Sequence, residues 1–165
     1  IRERILPFLQ DKPDLGSRPS SFWCTYVFEE MAKRGYGREV IDFIRRHWSP
    51  MRATGTTWEG FEWNEGGGSA SHAWSAHPSY HLVNILGGVT QTAAGWKAIR
   101  FAPCFAPGIE RTEVLVPSPA GDIEAAWARR GDTASVRLSL PDTVAAVPDV
   151  RDRAVCSSCQ VRRPG

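Results

Sequence analysis

The chain is 165 residues long, room for one ordinary domain or two small ones. Its 42% hydrophobic and 23% charged residues are the composition of a globular protein, and a formal charge of +2 is too small to point to nucleic acid or an anionic membrane as a partner. No apolar stretch approaches the roughly 20 residues that a membrane-spanning helix requires.

The opening, IRERILPFLQ, has neither an initiator Met nor an apolar signal region, as expected of a segment cut from within a longer protein. Helical punctuation follows. Ser20 and Ser21 are N-cap candidates ahead of FWCTYVFEEMAKRG, where Phe22, Trp23, Tyr26, Val27 and Met31 recur at helical spacing. Gly35 falls where a left-handed C-terminal cap belongs. After Tyr36 and Gly37 the pattern resumes through Val40, Ile41, Ile44 and Trp48, and Pro50 stops it. Two such helices, over 21–34 and 37–47, predict an αα-hairpin.

Between residues 49 and 71 the periodicity is lost. SPMRATGTTWEGFEWNEGGGSAS is rich in Gly and hydroxyl residues and carries Glu59, Glu62, Glu65, Trp58 and Trp63. Irregular segments of this length inside compact domains are often functional. A helix is predicted again from Ser71 through HAWSAHPSYHLVNILGG, with Trp74, Leu82, Ile85 and Leu86 buried, Pro78 near its first turn, and Gly87 and Gly88 ending it. Beyond Gly88 the period becomes two: WKAIRFAP, RTEVLVPS, GDIEAAWAR, ASVRLSL and TVAAVPDV read as five short strands joined by turns. Ile123, Ala125 and Trp127 form one inward set and Val136, Leu138 and Leu140 another. Strands at this spacing suit an antiparallel sandwich.

Four cysteines, Cys24, Cys104, Cys156 and Cys159, are too scattered for a disulfide framework. The CSSC pair has no second pair and no following His, so four metal ligands cannot be assembled locally, and the Arg/Pro-rich end reads as a disordered tail. His77 and His81 stand at i and i+4, the spacing of a zinc pair on a helix, but no Glu lies between them and Pro78 follows the first. Neither a metal nor another cofactor is indicated.

Five of the seven Trp residues fall between Trp23 and Trp74. Trp stacks well on sugar rings, and it is also a large core residue. Cleavage of a glycosidic bond ordinarily uses two carboxyl groups, one to protonate the leaving oxygen and one to attack or to activate water. Glu59 is the strongest candidate for such a group, since it follows Trp58 in the Gly/Thr-rich loop and a carboxylate beside indole rings is partly desolvated. The alternative for Glu59, Glu62 and Glu65 is that they are solvated loop acids. His72, at a predicted helix start, is placed to donate to a sugar hydroxyl, or to cap the helix.

The stretch RPSSFWCTYVFEEMAKRGYGREVIDFIRRHWSPMRATGTTWEGF, followed by SASHAWSAHPSYHLVNILGGV, resembles the end of the catalytic domain of family 78 glycoside hydrolases, the inverting α-L-rhamnosidases and their relatives. The segment from WKAIRFAP to SVRLSLPDTVAAVP is similar to the β-sandwich that closes those enzymes, so the resemblance covers nearly everything from Ser20 to Pro148. It implies a two-part α+β chain: residues 1–87 as the last part of an (α/α)6 six-hairpin barrel, 88–150 as an all-β antiparallel sandwich, and 151–165 as the tail. It also implies that Glu59, within GTTWE, is the general base, that His72, within SHAW, contacts the sugar, and that Trp58, Trp63 and Trp74 line the pocket. The substrate implied is a terminal α-L-rhamnoside or related glycoside. The family's general acid lies upstream of Ile1, so the chain alone is expected not to hydrolyse. Outside that reading, the same aromatic residues would serve a non-catalytic carbohydrate-binding module, or the chain is a degenerate remnant. Without the preceding hairpins of the barrel, Phe22, Trp23, Tyr26 and Ile44 would be left uncovered and form an exposed patch.

Overall fold

The computed structural model describes residues 2–12, 19–62, 68–149 and 156–162, the last of these as backbone. The chain divides into two compact units, Ile1–Leu82 and Val83–Gly165.

The first unit is helical. Helix α1 (Arg2–Leu9) comes from the opening segment, where no element was predicted. Helices α2 (Cys24–Lys33) and α3 (Gly37–Trp48) form the expected hairpin. Its joint is a Schellman turn: Tyr36 N–H bonds the Met31 carbonyl at 3.0 Å, Gly35 N–H bonds that of Ala32 at 3.0 Å, and Gly35 has φ +89°. The N-terminus of α2 differs from expectation. Trp23 precedes α2 without a side-chain cap, but one turn earlier Ser20 accepts from Trp23 N–H through its hydroxyl at 3.4 Å and from Cys24 N–H through its carbonyl at 3.2 Å, as a cap does, whereas Ser21 does not. A 3₁₀ turn (Ser49–Ala53) follows α3, consistent with Pro50 ending the α-helical pattern.

Helix α2 has two apolar sides. Cys24, Phe28 and Met31 face the core at i, i+4 and i+7, whereas Phe22, Trp23 and Tyr26 are exposed, Trp23 at 59%. Ile44 does not join that exposed set; it is buried with Val40, Ile41, Phe43 and Trp48 on α3. The core is aromatic. Phe28 meets Phe43, Trp48, His77 and His81 with ring centroids 5.3–6.0 Å apart, mostly edge-on. Helix α1 is tied to α3 by Asp11, which accepts from Arg46 Nε and pairs with His47 Nε2, each at 2.8 Å. Burial pushes the Asp11 carboxyl up, but the hydrogen bonds from His47 and Arg46 outweigh it and leave the group below its ordinary value.

The predicted helix from Ser71 is shorter and broken. A 3₁₀ turn (Ala73–Ser75) precedes α4 (Pro78–Leu82), whose first residue is Pro78, where a missing N–H is harmless. Ile85 and Leu86 are buried as predicted, but Trp74 and Leu82 are not.

The second unit begins with a π-helical turn (Val83–Gly87) and continues as strands. These are β1 (Val89–Ala93), β2 (Ala98–Phe101), β3 (Arg111–Val116), β4 (Ile123–Arg130), β5 (Thr133–Ser139), β6 (Ala145–Pro148) and β7 (Cys156–Arg162). They form two sheets, ordered β1-β2-β6 and β3-β4-β5-β7. One core takes residues from both: Val89, Ile99 and Phe101 from the first, Ile123, Trp127, Val136 and Leu138 from the second. Both inward sets read from period two are buried. The antiparallel expectation needs correction, because β6 pairs with β2 and β7 with β5 in parallel. Neither joins its neighbour by a hairpin, so no tight turn imposes an antiparallel direction. Residues 156–162, expected within a disordered tail, run as β7; 150–155 and 163–165 lie outside the described residues.

Gly87 and Gly88 do more than end a helix. A Cβ on Gly87 would lie 2.5 Å from a Val114 methyl, and one on Gly88 2.2 Å from the Pro103 nitrogen, with Gly88 at φ +73°. Backbone thus packs on backbone here, where Ala102 N–H bonds the Gly88 carbonyl at 2.8 Å. Gly88→Ala is expected to cost roughly 2–4 kcal/mol, read as a lower urea midpoint at unchanged slope.

His81 generates a second prediction. Burial, with a smaller contribution from His77, pushes its pKa down to about 4, against 6.5 for an ordinary histidine. Between those values the unfolded chain holds the extra proton, so His81 leaves stability intact above about pH 6.5 and lowers it as pH falls toward 4. The slope approaches ~1.4 kcal/mol per pH unit for one such group. Urea unfolding at pH 7 and pH 4.5 should show a smaller pH difference in His81→Gln than in the parent.

Candidate functional site

All candidate site residues that are described fall in the first unit. The segment after α3 folds back on itself without becoming regular sheet. Glu59 N–H bonds the Ser69 carbonyl at 2.9 Å, and His72 N–H bonds that of Thr57 at 2.7 Å. The Thr57 hydroxyl returns to the His72 carbonyl at 3.1 Å, and the Thr56 hydroxyl bonds the Ala70 carbonyl. These cross-links set Glu59 and His72 on neighbouring arms of one loop. The hydroxyl residues of GTTWE act here by bonding across the loop.

Glu59 is held at three points. Its N–H is taken by Ser69; its carboxylate Oε2 accepts from Ser69 N–H at 2.8 Å; its carbonyl accepts from Trp74 Nε1 at 2.8 Å and from the Ser21 hydroxyl at 2.5 Å. Oε1 has no hydrogen-bond partner among the described residues. Gly68 passes close by, with φ +72° and a position where a Cβ would lie 3.5 Å from Oε2. Glycine suits both that conformation and that approach.

Trp74 is 39% exposed, and its ring lies 4.0 Å from the His72 ring and 5.9 Å from Phe22. Its exposure, which overturns the expected burial, follows from the indole N–H reaching to Glu59 across the surface. Phe22, Trp23 and Tyr26 continue the aromatic surface with centroid separations of 5.1–6.0 Å. The structure therefore brings Glu59, His72 and Trp74 together. Trp58 lies elsewhere: it is 8% exposed, its indole bonds the Thr54 hydroxyl at 2.8 Å, and its backbone N–H meets Met51 Sδ at 3.4 Å. Trp63 and Glu65 lie outside the described residues. Glu62 is exposed.

Three polar residues around Glu59 were not singled out for this site from the sequence. Ser21 and Ser75 are fully buried, and the Ser75 hydroxyl bonds that of Ser21 at 2.8 Å. His77 Nε2–H donates to the Ser21 carbonyl at 2.7 Å, leaving its buried Nδ1 without a partner. Burial lowers the His77 pKa, and the hydrogen bond to Ser21 offsets part of that. Ser21 was read as a cap and His77 as half of an i,i+4 pair; no local signal links either to a loop 38 or 18 residues away. His77 and His81 face each other at 5.3 Å, with His81 Nε2 on the Thr25 hydroxyl at 3.1 Å. Among the described residues no group of three His, Cys, Asp or Glu side chains is arranged to hold a metal ion. No described helix is long and apolar enough to cross a membrane.

This geometry, a tethered carboxylate with one open oxygen beside an exposed indole and an imidazole, has the donors, acceptor and flat apolar face that a sugar ring requires. Residues 88–158 match the family described as the bacterial α-L-rhamnosidase C-terminal domain. An α-L-rhamnosidase of Formosa agariphila is 33% identical over 98 residues, 55% of this chain and 10% of that protein. Among solved structures, the GH78 family rhamnosidase of Bacillus sp. GL1 superposes with a TM-score of 0.75 at 25% identity, covering 94% of this chain and 17% of that one. The α-L-rhamnosidase of Dictyoglumus thermophilum shares the fold with a TM-score of 0.78 at 18% identity, over 90% of this chain and 18% of that one. The chain thus spans between a tenth and a fifth of the length of these relatives. It is related to the α-L-rhamnosidases of glycoside hydrolase family 78, and what it matches is their C-terminal region.

Proposed function

We propose that the chain is the C-terminal part of an inverting glycoside hydrolase that removes terminal α-L-rhamnosyl or closely related residues, with Glu59 as the base that activates water. In this reading residues 1–87 are the last part of a six-hairpin (α/α)6 barrel and 88–150 are the sandwich that closes the protein. The observation that carries it is the state of Glu59: main chain tethered on both sides, Oε2 occupied by Ser69, and Oε1 without a hydrogen-bond partner among the described residues.

A carboxylate held this way keeps one oxygen for a water proton and does not spend the other on solvent. Inversion places that water between Glu59 and the anomeric carbon, on the face opposite the leaving oxygen. As the water attacks, its proton passes to Oε1, and an acid on the far side protonates the leaving group. That acid belongs to a preceding part of the protein, so this chain supplies one half of the pair and does not hydrolyse alone. His72 donates to a sugar hydroxyl, and Trp74 offers its exposed face to the apolar C–H side of the ring. Trp58 supports this surface from behind rather than touching the sugar. The relation to the α-L-rhamnosidase of Formosa agariphila supports the choice of sugar.

In the complete hydrolase, Glu59→Gln is expected to lower kcat on an aryl α-L-rhamnoside by about 10²–10⁴-fold while KM stays within a few-fold. Glu59→Ala with added azide should recover turnover and release the β-L-rhamnosyl azide, because the small anion attacks from the face the water used. An α-azide, or unimpaired turnover in either variant, would remove Glu59 from this role. A second reading, carbohydrate binding without catalysis, draws on the exposed Trp74 and Trp23 faces. Saturable quenching of tryptophan fluorescence by L-rhamnose, in a complete protein that does not turn over, would favour it.

A further inference from the structure

We infer that Ser21 and Ser75 are positioning residues for Glu59: a buried two-hydroxyl relay that sets where the carboxylate stands. The inference rests on the reading of Glu59 as base. Both serines are fully buried, and each hydroxyl hydrogen has a directed use. Ser75 donates to Ser21 Oγ at 2.8 Å, with the Glu59 carbonyl a longer second acceptor at 3.5 Å, and Ser21 donates to the Glu59 carbonyl at 2.5 Å. Hydrogen bonds in series polarise one another, and in a buried setting the last of them holds its acceptor firmly.

The relay is itself anchored at both ends. The Ser21 carbonyl accepts from His77 Nε2–H at 2.7 Å, and the Ser75 carbonyl from Trp48 Nε1–H at 2.8 Å. The main chain of Glu59 is therefore registered against α3 and against the segment entering α4, not merely against its own loop. Among the described residues Ser69 is the one that bonds the carboxylate, and it sits on the opposite arm of the loop, so the direction of Oε1 depends on where the relay pins the carbonyl. Ser21 touches neither the proposed water nor the sugar. Its effect on turnover passes through Glu59.

The test is Ser21→Ala and Ser75→Ala in the complete hydrolase, each made in the parent and in the Glu59→Ala background supplied with azide. Displacing a catalytic group by a fraction of an ångström to one ångström costs on the order of 10- to 100-fold in rate. In the parent, Ser21→Ala should lower kcat by that amount with KM little changed, and Ser75→Ala by less. In the azide-rescued reaction, where no carboxylate needs placing, neither serine should matter. Equal losses in both backgrounds would show a general structural role and overturn the inference, as would unchanged kcat in both parent variants. Should Ser21→Ala not fold, Ser75→Ala carries the same comparison one bond further out. If Glu59→Ala itself keeps full turnover, the reading of Glu59 as base fails, and the relay has no base to position.

Discussion

The carbonyl oxygen of Glu59 is where three distant stretches of the chain meet. It accepts from Ser21, before α2, and from Trp74, before α4, while Ser75 reaches the same point through Ser21. A loop with no regular hydrogen-bond ladder has many backbone groups to satisfy, and each one left bare in the interior costs on the order of 1–3 kcal/mol. Here those groups are met by hydroxyls and indole N–H groups that also join the loop to the helices. Neutralising the loop's polar groups and aiming its carboxylate are consequently the same set of bonds.

Beneath the loop lies an aromatic core, centred on Phe28 and Phe43, that tolerates two histidines. His77 and His81 are held neutral by burial and serve as shaped, flat side chains that can each make a hydrogen bond. His77 spends its bond on the Ser21 carbonyl, which couples the core to the loop. The cost of such an arrangement is a sensitivity to acid that an all-hydrocarbon core would lack.

The second unit solves a different problem. Two sheets of three and four strands share one apolar core, with Trp127 in its interior, indole N–H on the Leu86 carbonyl at 2.7 Å and ring edge-on to Phe105. The family match falls on this unit, at residues 88–158, while the described candidate site residues fall on the other. The likeness to the Bacillus sp. GL1 rhamnosidase covers 94% of the chain and so takes in both. Family and chemistry therefore rest on separate observations.

What the sequence by itself determined was governed by near neighbours along the chain. Period 3.6 marked α2 and α3, Gly35 marked their joint, period two assigned the inward residues of β4 and β5, and Gly87 and Gly88 marked the change between them. The motif GTTWE and the His of SHAW stood out as residues and were found on adjoining arms of one loop. Only the tertiary structure decided the rest, because it depends on partners far apart in sequence that leave no local trace. Ser21 looks like a cap until Glu59 is seen to take its hydroxyl. Trp58 and Trp74 look alike, yet the first is buried with its indole on the Thr54 hydroxyl and the second is exposed with its indole on the Glu59 carbonyl. The parallel directions of β6 and β7 likewise follow from which strand each meets on arriving from elsewhere, and no turn beside them in the sequence dictates it.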